Sequence, residues 1–281
     1  EYAGVVNGNQ SVGLQVIAKG NGNFDAVLYV GGLPGAGWDG KSKFPLSGKS
    51  GEGGITALLG NNFKGQIRDG IVTGAGSGRS DDRMYKVFRR SPTLGATPPE
   101  GAIVLFDGTN VDAWNGVNLE EENLLGVGGR TKQKFEDFHL HLEFRTPFMP
   151  EHTGQARGNS GMYLLDQYEC QVLDSFGLEG LDNECGGIYK ASRPSINMCF
   201  PPLSWQTYDV DFQAARFDPD GKKVKNAVVT IRHNGITIHD KLELPEATPG
   251  GSQNDERPGA LFLQNHGDPV RYRNIWIVEK R

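Results

Sequence analysis

Apolar and polar residues alternate along most of this chain with the two-residue period of a β-strand, in short runs cut by glycine. In the front third the runs are VGLQVIAK (12–19), FDAVLYVGG (24–32), ITALL (55–59), GQIRDGIVTG (65–74) and MYKVFRR (84–90). Gly- and Asn-rich turns separate them, which predicts a small Gly-rich antiparallel β unit. A Pro-rich connector, SPTLGATPPE (91–100), follows. It divides the chain into an N-terminal domain, 1–95, and a larger domain, 96–281. Strands then recur as FHLHLEFRT (138–146), GMYLL (161–165), YECQVLD (168–174), WQTYDVDFQAA (205–215), AVVTIRHNGITIHDK (227–241), ALFLQNH (260–266) and VRYRNIWIVEK (270–280). That spacing predicts an antiparallel β-sandwich. Asn234-Gly235 marks a hairpin tip, and DPDG (218–221) reads as a plain turn.

Parity then sorts each strand into two faces. Leu140, Leu142 and Phe144 oppose His139, His141, Glu143 and Arg145; Tyr168, Cys170 and Val172 oppose Glu169 and Gln171. Leu261 and Leu263 oppose Phe262, Gln264 and His266. His139, His141, Asp209 and Asp211 read as a solvated outer face. Glu143, Arg145, Glu169, Gln171, Gln264 and His266 carry directed hydrogen-bonding ends, costly to bury without partners, and predict a ligand groove.

Composition narrows the class. A net charge of −5 with pI near 5.7 argues against nucleic acid or an anionic membrane as the partner. No apolar run is long enough for a membrane-spanning helix. The literal G-x-G-x-x-G at Gly35, Gly37 and Gly40 is followed by a loop, so it lacks the helix a dinucleotide site needs, and Trp38 reads as a turn anchor. No G-x-S-x-G, Walker A or HExxH motif is present. Cys185 and Cys199 flank a loop-rich segment, and a disulfide between them is expected, with Cys170 a buried thiol. Such a bridge implies an oxidising compartment.

The motifs VLFDGTNVDAW, LEFRT, GNSGMYL, YECQVLD, GGIY, WQTYDV, the HNG hairpin and LFLQNHGDPVRYRNIWI occur in that order over residues 101–280. In this the chain resembles the 3-keto-disaccharide hydrolase family. The resemblance implies an all-β, concanavalin A-like jelly-roll sandwich and a bacterial, periplasmic or secreted protein whose leader has been removed. It also implies an oligosaccharide or glycoside substrate, and a groove lined by Glu143, Arg145, Asn159, Glu169, Gln171 and His266.

Two chemistries compete for such a groove. Two-carboxylate glycoside hydrolysis on one strand would need E-x-D-x-E, whereas the strand reads Glu169-x-Gln171-x-Leu173. The resemblance offers elimination from a 3-keto sugar, with Glu169 or His266 as base, Arg145 beside the enolate and Glu143 or Asp174 as acid. A divalent cation held by Glu143, Glu169 and His266 could replace Arg145. The alternative is a non-catalytic glycan-binding module in which Tyr189, Trp205 and Trp38 stack on sugar rings; a structural domain of a larger assembly is a third reading.

Overall fold

The structure is a computed structural model that describes the chain except for residues 62, 75–81, 254–256 and 281. It divides into two compact units: Glu1–Arg89 with Met149–Thr153, and Arg90–Phe148 with Gly154–Arg281. Among the described residues no helix is long and apolar enough to cross a membrane.

The first unit is a closed antiparallel barrel of β1 (Tyr2–Val6), β2 (Gln10–Ala18), β3 (Asn23–Val30), β4 (Lys43–Ser50), β5 (Thr56–Gly60), β6 (Phe63–Arg68), β7 (Ile71–Thr73) and β8 (Arg83–Lys86). Pairing of β1 with β8 closes it, which removes the free sheet edges. Val12, Leu14, Ala26, Leu46, Leu58, Phe63, Val72 and Met84 form its core. The run 65–74, read as one strand, is a hairpin. Asp69 and Gly70 sit at its tip with φ of 51° and 77°, the left-handed conformation that a tight two-residue turn requires. β4 escapes sequence reading because it contains Pro45. Its pairing with β5 covers only Ser47–Ser50, so the missing Pro45 N–H interrupts no ladder there. β4, not a helix, follows the glycine motif, and Trp38 packs edge-on against Tyr29 at 5.1 Å as an anchor.

The second unit contains β9 (Ile103–Phe106), β10 (Trp114–Asn115), β11 (Leu119–Glu120), β12 (Leu124–Leu125), β13 (Arg130–Thr131), β14 (Phe138–Arg145), β15 (Ser160–Leu164) and β16 (Tyr168–Val172). It continues with β17 (Gln206–Gln213), β18 (Arg216–Phe217), β19 (Lys223–Lys225), β20 (Ala227–His233), β21 (Ile236–Leu244), β22 (Phe262–Leu263) and β23 (Arg271–Glu279). A small sheet runs β10-β13-β22-β15-β16; a larger one runs β11-β12-β23-β14-β17-β20-β21, with β9 on β23. Asn234 and Gly235 turn the β20–β21 hairpin with φ of 49° and 81°, as their sequence predicts. DPDG turns between β18 and β19, Asp218 accepting from the backbone of Asp220 and Lys222.

The two sheets meet through one face each. Tyr168 of the small sheet lies 5.9 Å from Phe212 of the large one, ring to ring. Tyr208 donates across to the Gln171 carbonyl at 2.8 Å, and the Ser160 and Tyr272 hydroxyls bond at 2.7 Å. The opposite parities of β14 and β16 therefore lie on opposite outer faces of the sandwich.

On the outer face of the large sheet, the connector lies against β14, β17 and β23 as a strap. The Ser91 hydroxyl bonds Thr207 at 2.7 Å, Thr93 donates to Asp209 at 2.6 Å, and the Gly95 N–H donates to Glu143 at 2.5 Å. Asn274 and Trp276 donate to the Ala96 carbonyl at 3.0 and 3.3 Å. The connector thus belongs with the second unit, which begins at Arg90 and not at 96. This also corrects the solvated reading of His141 and Asp209, which are buried beneath the strap and bonded at 2.6 Å. His139 and Asp211 remain partly exposed.

The expected disulfide is absent: Cys170, Cys185 and Cys199 are free and buried. Cys185 lies in hydrogen-bond contact with Cys199 and 3.3 Å from the Tyr208 hydroxyl, while Cys199 reaches the Leu173 carbonyl at 3.5 Å. Each thiol has polar neighbours within the core without a bridge.

Candidate active site

The outer face of the small sheet holds a pocket of about 260 Å³, whose lining includes Gln155, Asn159, Tyr163, Glu169, Gln171, Tyr189, Gln264 and His266. The β15–β16 hairpin builds its floor. Register sets Tyr163 opposite Glu169 and Gly161 opposite Gln171. Residues 186–189 pair along the free edge of β16: the Tyr189 N–H donates to the Glu169 carbonyl at 3.0 Å, and Gln171 and Gly187 bond at 2.9 Å. That pairing carries Tyr189 to the pocket wall. β22 supplies the other wall, with the Gln264 N–H donating to the Gly161 carbonyl at 2.8 Å.

Glu169 is the group with acid–base capacity on this floor. It is only 2 % exposed, and no cation pairs with it among the described contacts. Burial raises its pKa to about 7, against the opposing hydrogen bond from the Tyr163 hydroxyl at 2.7 Å. Burial and the neighbouring carboxylate together push the Tyr163 phenol well above its ordinary value, so it serves as a donor. Gln264 in turn donates to the Tyr163 oxygen at 3.2 Å. A carboxyl near neutrality, held in an open polar pocket, can take up or release a proton at working pH.

Gly161 makes room for it. A Cβ at that position would lie 2.2 Å from Glu169 Oε1 and 2.9 Å from its Cδ. Gly161→Ala is therefore expected to displace the carboxylate and lower turnover at least about tenfold, with the apparent pKa near 7 moved in the pH–rate profile. Near-native melting together with an unchanged profile would remove Gly161 from the site.

Six expected residues converge here: Glu169, Gln171, Asn159, Gln264, Tyr189 and His266. Four do not. Glu143 lies on the large sheet beneath the strap, accepting from Arg273 at 2.7 Å, Asn274 at 3.0 Å and Gly95. Its burial is outweighed by these donors and His141, which lower its pKa to about 2. It is a structural anion. Arg145 lies on the same strand and face, 3.6 Å from Glu122 and with its guanidinium 5.1 Å from the Trp205 ring. Arg273 covers Trp205 at 4.0 Å, so Trp205 stacks on arginine. Asp174 is buried against Arg157 at 2.6 Å; burial raises its pKa despite that partner. The set Glu143, Glu169 and His266 is split between the two sheets. Among the described residues no three His, Cys, Asp or Glu side chains are placed to hold a metal ion.

Sequence reading missed Tyr163, Gln155 and Gly161. Tyr163 had a legible signal, since it sits on the strand that pairs with Glu169 across a short turn. Gln155 had none, because it comes from the loop ahead of β15. Larger hollows among the described residues include one of about 1060 Å³ in the barrel unit and one of about 710 Å³ beside the strap. The first has no ionisable lining, and in the second Glu143 is already saturated by donors.

An antiparallel sandwich whose outer face carries a small acid-and-amide pocket is the class of protein defined so far. The family is more specific: residues 101–278 match the model of the 3-keto-alpha-glucoside-1,2-lyase-like domain, and the chain belongs to that family. A crystal structure of a "putative glycosyl hydrolase" from Parabacteroides distasonis is 33% identical, covers 65% of this chain and 85% of its own, and superposes with a TM-score of 0.59. A second structure of the same description and organism is 18% identical, covering 65% of this chain and 95% of its own, with a TM-score of 0.46. Among curated proteins, none matches this chain.

Proposed function

We propose that the second unit is a carbohydrate-active enzyme that cleaves 3-keto-glycosides by elimination at C1–C2, with Glu169 as the base. The observation that carries this is a single buried carboxyl, raised to about 7, on the floor of a sugar-sized polar pocket. The family match and the Parabacteroides structure support carbohydrate cleavage. A ketone at C3 acidifies the C2 proton. Glu169 takes that proton, and the C2–H electron pair forms an enolate with its charge on the C3 oxygen. Collapse of the enolate restores the ketone, forms C1=C2 and breaks the bond from C1 to its substituent. The departing oxygen needs a proton, and His266 at the pocket edge is assigned to it. Addition of water across C1=C2 would complete a net hydrolysis. Arg145, Glu143 and Asp174 have no part in this scheme.

A concanavalin A-like jelly-roll connectivity and a periplasmic or secreted location belong to the same reading. Incubation with matched 3-keto and unoxidised disaccharides tests it. Cleavage of the oxidised sugar alone is expected. Cleavage of neither, with retention on a glycan column, would favour a binding module.

A further inference from the structure

The two carboxyl oxygens of Glu169 are not equivalent. Oε2 accepts from the Tyr163 hydroxyl at 2.7 Å, and that tyrosine is buried. Oε1 accepts from no donor among the described residues, and it remains open to water. Gly161 leaves the space beside it, since a Cβ there would come within 2.2 Å of Oε1. A carboxylate with one oxygen tied and the other free presents its lone pairs in a fixed direction, as a base must.

Tyr163 is held in turn. Register sets it directly across from Glu169, its ring packs on Phe262 at 5.3 Å, and its oxygen accepts from the Gln264 amide at 3.2 Å. With Gln264 on the acceptor side of the hydroxyl, the phenol proton points at Oε2. Burial and the adjacent carboxylate keep that proton on the phenol, so it does not compete with a substrate proton. Such a donor stabilises the ionised carboxyl more than the protonated one. The other titratable groups around the pair are Tyr189 along β16, His266 beyond β22, and Asp166 in the hairpin turn, which Arg130 pairs at 3.0 Å. Burial and the Tyr163 bond, not these groups, govern the ionisation of Glu169. Resting on Glu169 as the base, we propose that Tyr163 is its positioning residue, holding Oε2 so that Oε1 is the atom that takes the substrate proton. Oε1 gains the proton, the C2–H electron pair stays with the sugar, and the Tyr163 hydroxyl remains bonded to Oε2.

Tyr163→Phe keeps the ring and removes the hydroxyl. In the substrate-free protein, carbon NMR of labelled glutamate follows the Glu169 carboxyl against pH, its signal identified by its absence from Glu169→Gln. The midpoint near 7 should rise by about one pH unit in Tyr163→Phe. Gln264→Leu, which removes the amide behind the hydroxyl, should move it the same way by a smaller step. With a 3-keto-disaccharide, the rate of Tyr163→Phe below pH 7 should fall about tenfold, while the plateau at high pH holds within a few-fold and KM changes little. A carboxyl midpoint that moves in neither variant, or a rate loss equal at every pH, would overturn the assignment. If the midpoint moves but the wild-type protein cleaves no 3-keto-disaccharide, the hold of Tyr163 on the carboxyl stands and the keto-sugar reading fails.

Discussion

Glu169→Gln is expected to lower turnover of a 3-keto-disaccharide by at least about 10²-fold and, above pH 7, to raise the stability of the second unit. Both effects come from one cause. A carboxylate that accepts a C2 proton must be ionised, so the rate of the wild-type protein should climb through about pH 7 and level off above it. Burial makes that ionised form costly in the fold. In the unfolded chain this carboxyl ionises near the ordinary glutamate value of 4.5, in the folded one near 7. Below 4.5 both forms carry the proton and nothing is lost. Between the two values the folded state holds the extra proton, so stability falls as pH rises, and the penalty is complete above 7. Its upper limit is about 3 kcal/mol. Glutamine keeps the shape and never ionises, so the difference in urea midpoint between variant and wild type should open between pH 5 and 8. Undiminished turnover in the variant would end the role of Glu169 as base. A stability difference that does not change with pH would show that its carboxyl is not raised.

Glu143→Ala should behave in the opposite manner: a large loss of stability and little loss of turnover. Glu143 is buried among Arg273, Asn274, His141 and the Gly95 N–H. Removing one member of a buried charged cluster costs roughly 3–5 kcal/mol, because the partners stay behind unpaired. The strap should then open, seen as faster amide exchange of residues 91–96. The pH signature reads from the shifts. Glu143, held at about 2, contributes stability that is present above 4.5 and drains away as pH falls towards 2. For His141, burial disfavours the charged ring, but Asp209 and Glu143 outweigh it and raise the pKa above 6.5. Its contribution is therefore full below 6.5 and lost as pH rises through the folded value. Glu143 is far from the pocket in connectivity and faces the other side of the sandwich, so turnover should hold within a few-fold in the folded fraction. A hundredfold loss of turnover in a folded Glu143→Ala protein would restore it to the mechanism.

What could be read from residue order alone was the local geometry. Alternation placed Glu169 and Gln171 on one side of β16 and Tyr168, Cys170 and Val172 on the other, which is how they stand. Asn234-Gly235 specified its hairpin because few residues adopt left-handed backbone cheaply. Motif order over residues 101–280 was enough to suggest the family. Parity, however, says which residues share a side of one strand and nothing about which strands share a sheet. Glu143 carries the same carboxyl as Glu169, and the pair Glu143 and Arg145 has the same polar alternation as Glu169 and Gln171, yet β14 and β16 lie in different sheets with their polar sides turned outward in opposite directions. Only the packed sandwich separates them. The strap makes the second distinction, since a Pro-rich connector carries no sequence mark of the sheet face it will cover. Once it covers Glu143, four donors lower that carboxyl to about 2, while Glu169, with one hydroxyl donor and an open pocket above it, rises to about 7. Strand direction and turn chemistry are local properties and were legible; desolvation and partner count depend on what lies across space, and these divide a structural carboxylate from one fit for proton transfer.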